Sequence, residues 1–125
     1  MPKIADNNNH VMPFMLVENA TAYLPFLTDL FGAELLLKID SDDGLVRHAQ
    51  MRIGDSTLMI ADATKGFGPN QSMLYIYVDD TDATYAKALS LGATSIMAPY
   101  DEEYGARSAG LLDPYGNTWW LATLK

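Results

Sequence analysis

The sequence predicts one α+β domain that contains two βαβββ units, and three observations support this prediction. The chain has 125 residues, and a single domain typically contains about 100–200 residues. Apolar residues form 49% of the chain and charged residues 19%, which is enough to bury a core and is not typical of a disordered chain. Similar segments also recur about half a chain apart, as duplicated structural units do.

The repeated segments match both at their beginning and at their end. An apolar run followed by acidic residues and a helical stretch occurs at residues 15–23 and again at 76–84. Residues 54–61 resemble residues 115–122 at almost the same offset of about 61. Chance similarity of two short αβ units is the alternative explanation. We expect a single domain, 1–125, with pseudo-repeat units at about 10–62 and 72–123 and a linker at 63–71.

The first half is predicted to form a strand, a helix and three further strands, from the spacing of its apolar residues. Asn19 can cap the helix and Gly32 can end it, whereas Pro25 requires either the first helical turn or a kink. Gly54-Asp55 predicts a two-residue hairpin between the last two strands. The expected bounds are Val11–Val17, Glu18–Phe31, Glu34–Ile39, Leu45–Ile53 and Ser56–Ala61.

The second half repeats this order of elements. Asp79 or Asp80 can cap its helix, and Gly92 can end it. Asp113-Pro114-Tyr115-Gly116 predicts a four-residue turn, because proline presets the backbone conformation of the turn and glycine relieves backbone strain in it. The expected bounds are Met73–Val78, Thr81–Leu91, Thr94–Ala98, Ala106–Leu112 and Asn117–Thr123.

Charge and composition argue against several classes of partner. The formal net charge is −8, so a phosphate backbone or an anionic membrane surface repels the chain, and we expect no nucleic-acid partner. No apolar run approaches the ~20 residues of a membrane helix, and the polar N-terminus does not resemble a signal peptide. There is no cysteine, which excludes disulfides, thiol nucleophiles and Cys-bound zinc. We expect a cytoplasmic protein with no membrane partner.

Several motifs together resemble the vicinal oxygen chelate superfamily, which includes glyoxalase I, extradiol dioxygenases and bleomycin resistance proteins. The match is to its PhnB-like branch in particular. The resemblance implies a cupped mixed sheet with the helices outside, a pocket enclosed by the sheet, and a homodimer. The motifs that support it are Val78-Asp79-Asp80-Thr81-Asp82-Ala83, Leu91-Gly92-Ala93, Tyr104-Gly105-x-Arg107 and Asp113-Pro114-Tyr115-Gly116-Asn117-Thr118-Trp119.

Metal-dependent members of this superfamily hold their metal with four ligands, usually His, Glu or Gln, from matched positions in the two units. None of the residues at these positions here is a ligand for zinc, magnesium, calcium or manganese. They are expected to be either core residues or an apolar, adaptable pocket floor. The four residues are Met12, Met59, Met73 and Trp120.

The only two histidines, His10 and His48, exclude a three-histidine site within one chain. A metal site with both histidines and a carboxylate would require them to converge, and nothing in the spacing requires this. His48 is interpreted either as a hydrogen-bonding residue or general base or as a structural residue paired across strands. PhnB-like relatives often have His-Ala-Glu here, whereas this chain has His48-Ala49-Gln50.

Strand alternation predicts which residues share a face with the pocket floor. The two-residue hairpin places Gln50 opposite Met59 and puts His48 and Arg52 on the same face. The four-residue turn places Ala109 opposite Trp120 and so puts Arg107 on the face of that tryptophan. Arg107 could then clamp a ligand anion, or instead form an ion pair with Asp101, Glu102 or Glu103. Tyr75 and Tyr77 share the face of Met73.

The sequence therefore favours a metal-free small-molecule-binding protein with no cofactor and no catalytic residue, and a cationic ligand suits its charge. The first alternative is a metal-dependent lyase, isomerase or dioxygenase of the same superfamily. The second alternative is a non-catalytic interaction module with a filled pocket. The predicted ligand-binding residues are Met12, His48, Gln50, Met59, Met73, Tyr75, Arg107 and Trp120.

Overall fold

The computed structural model describes all 125 residues, which form two compact units, Met1–Asn70 and Gln71–Lys125. Each unit contains a four-stranded sheet and one helix, which confirms the α+β class and the two βαβββ units. The first unit consists of β1 (Phe14–Val17), α1 (Ala20–Phe31), β2 (Glu34–Asp40), β3 (Val46–Ile53) and β4 (Ser56–Asp62). The second consists of β5 (Met73–Tyr77), α2 (Thr81–Ser90), β6 (Thr94–Asp101), β7 (Ala106–Leu112) and β8 (Thr118–Leu124).

Both sheets have the same topology. Their strand orders are β1-β4-β3-β2 and β5-β8-β7-β6, with the first and last strands of each unit parallel and the other pairs antiparallel. Phe14 lies beside Met59, and Tyr75 lies beside Trp120. Both members of the second pair follow those of the first by 61 positions, so the offset seen in the sequence is also the structural repeat.

A side chain of the last strand in each unit accepts a hydrogen bond from the start of the helix. In the first unit the buried Asp62 carboxylate accepts hydrogen bonds from Ala20 N and Val46 N, both at 2.7 Å. In the second unit Thr123 Oγ1 takes the same place and accepts from Thr81 N at 3.0 Å. The first N–H groups of a helix have no partner within the helix, so each contact satisfies one of them.

The predicted caps of α1 are confirmed, although the helix begins at Ala20 and not at Glu18, whereas α2 ends at Ser90 with Leu91, not Gly92, as its C-cap. Asn19 caps α1 by accepting from Ala22 N at 3.3 Å, and Gly32 ends it with φ of 67°, a conformation that glycine adopts without strain. Asp80, rather than Asp79, caps α2 by accepting from Ala83 N at 3.0 Å. Pro25 lies inside α1 beyond its first turn and on its exposed side, and the carbonyl that its missing N–H would have bonded belongs to Thr21, which is also exposed.

One face of each sheet packs against the helix of its own unit. In the first unit Met15, Met51 and Ile60 are fully buried with Tyr23 and Leu27 of α1. In the second unit Trp119, Leu111 and Leu121 occupy this face, and α2 buries only Thr81 and Ala88. The core of each unit therefore lies between sheet and helix.

Only β7 has the predicted bounds at both ends, and the largest differences, of three residues, are at the start of β1 and the end of β6. β1 begins at Phe14 and not at Val11, because Pro13 has no N–H to donate to a ladder. β6 continues to Asp101 through Pro99, which an edge strand tolerates, with an irregular register between Met97 and Tyr100. β8 begins at Thr118, because Asn117 belongs to the preceding turn.

The linker expected at 63–71 lies against the free edge of β1. The Asn70 side chain accepts from Leu16 N and donates to Phe14 O, both at 2.9 Å, and Asn70 N donates to Leu16 O at 3.1 Å. Asn70 therefore satisfies backbone groups of an edge strand that would otherwise be open to pairing.

Candidate ligand-binding faces

Most of the candidate site residues lie on the sheet face opposite the helix, which we call the open face of each unit; Met12 and Arg107 are the exceptions. In the first unit this face is defined by Phe14, His48, Gln50 and Met59. Met59 lies between Phe14 of β1 and Gln50 of β3, as the two-residue hairpin predicts. Gln50 Nε2 lies 3.2 Å from His48 Nε2, so these two polar residues share the face as expected.

The imidazole of His48 also contacts an aromatic ring. The ring centroids of Phe14 and His48 are 6.0 Å apart with an interplanar angle of 65°, an edge-to-face arrangement. His48 and Gln50 are half-buried, so their polar atoms stand at the border of an apolar surface made by Phe14 and Met59.

The N-terminal segment adds a residue to this face that the sequence analysis did not identify. Asn8 Nδ2 donates to Gln50 Oε1 at 2.9 Å. Arg52 lies on the face of Met59, as expected, and its guanidinium donates from Nη1 to Asn7 O at 2.9 Å. The polar Asn7-Asn8-Asn9 run was the available signal, but strand alternation does not report on residues outside strands.

Met12 is not part of a strand. It precedes β1 and is half-buried, two residues before Phe14. The strand register places Phe14, rather than Met12, directly beside Met59. In the second unit Met73 is the first residue of β5, lies opposite Thr118 and is exposed.

The open face of the second unit is aromatic and is defined by Tyr75, Tyr77, Ser108, Gly110 and Trp120. Trp120 lies between Tyr75 of β5 and Gly110 of β7. Its indole lies across Gly110, because a Cβ added there would lie 2.6 Å from indole Cε3. Tyr75 and Tyr77 meet edge to face with centroids 5.5 Å apart, and 52% and 65% of their surfaces are exposed.

The Tyr75 hydroxyl is held in its protonated form. The neighbouring Tyr104 hydroxyl is the main cause, with partial burial second, and together they raise the pKa of Tyr75 to about 12. The Tyr104 and Ser108 hydroxyls lie 3.3 Å apart. Neither Tyr104 nor Ser108 was predicted as a site residue.

A shallow depression lies beside these hydroxyls. It has a volume of about 320 Å³ and is lined by Tyr100, Glu102, Glu103 and Tyr104. Aromatic rings next to carboxylates form a surface that attracts a cation both through ring faces and through charge.

The predicted position of Arg107 is wrong. The register pairs Trp120 with Gly110, so Ala109 lies opposite Leu121 and Arg107 opposite Thr123, on the helix side of the sheet. The cause is the turn. Asp113 accepts from Asn117 N at 3.1 Å and from Trp119 Nε1 at 2.8 Å, which leaves five residues, not four, between the strands.

Arg107 forms ion pairs instead, one of which was the alternative considered for it. Its guanidinium donates to both Asp82 oxygens, at 2.7 and 3.0 Å, and to Asp101 at 3.2 Å. Arg107 holds the pKa of Asp82 below its usual value, and Lys125 together with Arg107 does the same for Asp101. Arg107 therefore links α2 to β6 and β7.

The superfamily's metal positions do not fit a hard or borderline divalent ion. Three of them supply thioether sulfur, which suits only soft metals, and the indole N–H of the fourth is a donor with no lone pair to offer. Within neither unit do three or more His, Asp or Glu side chains gather as a metal site would require. The residues at the four metal positions are Met12, Met59, Met73 and Trp120.

No helix has the length and apolar character needed to cross a bilayer.

Comparison with known sequences identifies the family. A model of the Glyoxalase/Bleomycin resistance protein/Dioxygenase superfamily matches residues 8–121. An uncharacterized protein of Mycobacterium bovis is 30% identical over 120 residues, which cover 87% of this chain and 79% of that protein. A Mycobacterium tuberculosis relative is also 30% identical, with 71% of its length covered. The chain belongs to the glyoxalase/bleomycin resistance protein/dioxygenase superfamily, as the resemblance predicts.

Solved structures share the fold. TioX from Micromonospora sp. ML1 has a TM-score of 0.76 at 19% identity, covering 94% of this chain and all of that one. The PhnB protein from Bacillus cereus has a TM-score of 0.75 at 22% identity, covering 92% and 99%. TnmS3, an antibiotic binding protein from Streptomyces sp. CB03234, has a TM-score of 0.71 at 25% identity, covering 94% and 97%.

Substitution Gly110→Ala tests the packing of Trp120. The added methyl group must displace the indole, and we expect the free energy of unfolding to fall by about 1–3 kcal/mol, as for other overpacked sites. Urea denaturation followed by circular dichroism measures this change. Gly66→Ala is the matched control, because nothing lies within 4 Å of a Cβ there. Equal stability of the two variants would contradict the assigned position of Trp120.

Substitution Arg107→Gln tests the ion pairs through their pH dependence. Because the pKa values of Asp82 and Asp101 are lowered in the folded state, their contribution is present above the unfolded pKa of about 4 and is lost as the pH falls through the lower folded-state pKa values. We expect the melting temperature of the variant to lie below that of the wild type at pH 7, and the difference to shrink as the pH falls below about 4. Lys38→Gln removes the same charge from an isolated pair with Asp40 and should have a smaller effect. A difference that does not shrink on acidification would contradict this assignment.

Proposed function

We propose that this protein is a metal-free small-molecule-binding member of its superfamily and that the open faces of its sheets contact the ligand. The observation that supports this best is the aromatic surface of the second unit, where Trp120 lies across Gly110 beside the exposed Tyr75 and Tyr77. Exposed rings grouped on one sheet face, and not scattered singly, mark a binding surface.

Aromatic side chains suit this role energetically. Tyrosine and tryptophan present large, rigid surfaces, so little conformational entropy is lost when a ligand orders them. The flat surface formed by Trp120 favours a planar ligand that stacks on the indole. The Tyr75 hydroxyl adds a polar group next to this surface.

The open face of the first unit also combines apolar side chains with polar groups. Met59 and Phe14 supply apolar area, and His48 and Gln50 supply polar atoms at its border. An apolar surface with a few polar groups is typical of small-molecule sites, and methionine adapts its shape to different ligands. Met12 and Met73 extend the two apolar faces in this proposal. Arg107 is left out, because its guanidinium pairs with carboxylates on the helix side.

The charge of the protein favours a cationic ligand. The formal net charge is −8, and two carboxylates, Glu102 and Glu103, stand beside Tyr100 and Tyr104 in the depression of the second unit. Negative charge raises the local concentration of cations, and aromatic ring faces bind them directly.

The superfamily relationship supports a binding function. TnmS3, an antibiotic binding protein, shares 25% identity with this chain over nearly its whole length. The residues at the superfamily's metal positions do not fit a divalent ion, so we derive no metal-dependent reaction and assign no cofactor. A homodimer and a cytoplasmic location, which the sequence analysis expects, stay predictions.

A thermal-shift experiment on chelator-treated protein tests this function. Proflavine, a planar aromatic cation, should raise the melting temperature by binding the native state, whereas nickel, zinc, manganese and iron(II) should leave it unchanged. Metal analysis of the protein before chelation should find no metal in stoichiometric amount.

The variant Trp120→Ala connects this result to the open face. Loss of the stacking surface should weaken proflavine binding about tenfold, which corresponds to roughly 1.4 kcal/mol. Phe67→Ala removes an exposed ring from the linker and should leave binding unchanged. Binding that requires an added metal, or that is the same in both variants, would contradict the proposed function.

A further inference from the structure

We infer that Asn8 is a positioning residue that places the proton of neutral His48 on Nδ1, so that the open face of the first unit presents a hydrogen-bond donor to a ligand oxygen. The placement of the proton is a property of the ligand-free protein. The part that concerns a ligand rests on the proposed function.

A directed chain of hydrogen bonds leads to the imidazole. Asn8 Nδ2 lies 3.4 Å from Asp6 O and 2.9 Å from Gln50 Oε1. Gln50 Nε2 in turn lies 3.2 Å from His48 Nε2. A backbone carbonyl can only accept, so Asp6 O requires the amino end of the Asn8 amide. The amino group of Asn8 donates to Gln50 Oε1. The amino group of Gln50 is therefore directed toward His48.

The direction of this chain determines the tautomer. A neutral imidazole has one donor nitrogen and one acceptor nitrogen. Because Gln50 donates to Nε2 of His48, that nitrogen is the acceptor and the proton resides on Nδ1. Whether one imidazole nitrogen carries the proton is therefore set by the hydrogen bond that the other nitrogen makes.

The Nδ1 atom of His48 is available to a ligand. It has no hydrogen-bond partner within the protein, and no buried polar side-chain atom of the structure lacks a partner, so Nδ1 reaches the solvent. Phe14 lies edge to face with the same ring, and Met59 lies opposite Gln50. The matching ligand has an apolar, preferably aromatic, body and an acceptor oxygen such as a carbonyl.

A second asparagine provides a matched control for Asn8. Asn9 accepts from Thr57 N at 2.9 Å and donates to Asp55 O at 3.2 Å, so it holds the same N-terminal segment without touching Gln50. Asn9→Ala should loosen the segment but leave the amide of Gln50 directed as before.

Nitrogen-15 NMR of the histidine side chains, at a pH where His48 is neutral, tests the placement of the proton. The wild type and Asn9→Ala should show a protonated Nδ1 and an unprotonated Nε2. In Asn8→Ala the Gln50 amide can turn over, so we expect both tautomers. A wild type with its proton on Nε2, or an Asn8→Ala spectrum equal to that of the wild type, would overturn the inference.

A pair of neutral probes tests the ligand chemistry. 2-Acetylnaphthalene carries an acceptor oxygen, and 2-ethylnaphthalene has nearly the same shape without one. The wild type should bind the ketone about two- to tenfold more tightly, the range expected for one hydrogen bond, and Asn8→Ala should reduce this preference. Equal binding of the two probes would overturn the predicted ligand chemistry. If neither probe binds while the NMR shows the Nδ1 proton, the proposed function fails at this face and the role of Asn8 stands.

Discussion

The parallel pairing of the first and last strands is the constraint on which the rest of each unit depends. It places Phe14 beside Met59 in one unit and Tyr75 beside Trp120 in the other. Once this register is set, alternation decides which side chains pack under the helix and which stand on the open face. The end of the same last strand then fixes the start of the helix, through Asp62 in one unit and Thr123 in the other.

The two units use this common frame for different surfaces. Beside Met59, β3 supplies Gln50, whose amide connects Asn8 to His48. At the matching place beside Trp120, β7 supplies Gly110, and the missing side chain leaves room for the indole. One open face therefore combines apolar area with directed hydrogen bonds, whereas the other is mainly aromatic. Phe14, Tyr75 and Tyr77 on these faces remain exposed although burial of apolar area would stabilise the fold, which is why we propose that a ligand covers them.

Local chemistry decided how much the sequence could predict. The two-residue Gly54-Asp55 hairpin sets its own register, so the position of Gln50 opposite Met59 was predictable. The turn at Asp113 was not, because its carboxylate also accepts from the Trp119 indole and takes Asn117 out of the strand, which moves Arg107 to the other face. The contact of Asn8 with Gln50 spans 42 positions and leaves no periodic signal, so only the structure reveals it.

Chemical-shift mapping of metal-free protein titrated with proflavine tests the central claim most directly, because it reports which residues meet the ligand. We predict saturable shifts of the Trp120 indole N–H and the Gly110 amide, with little change at the Trp119 indole, which is buried on the helix side. No saturable shift without added metal, or shifts confined to residues outside both open faces, would contradict the assignment of these faces as the binding surface.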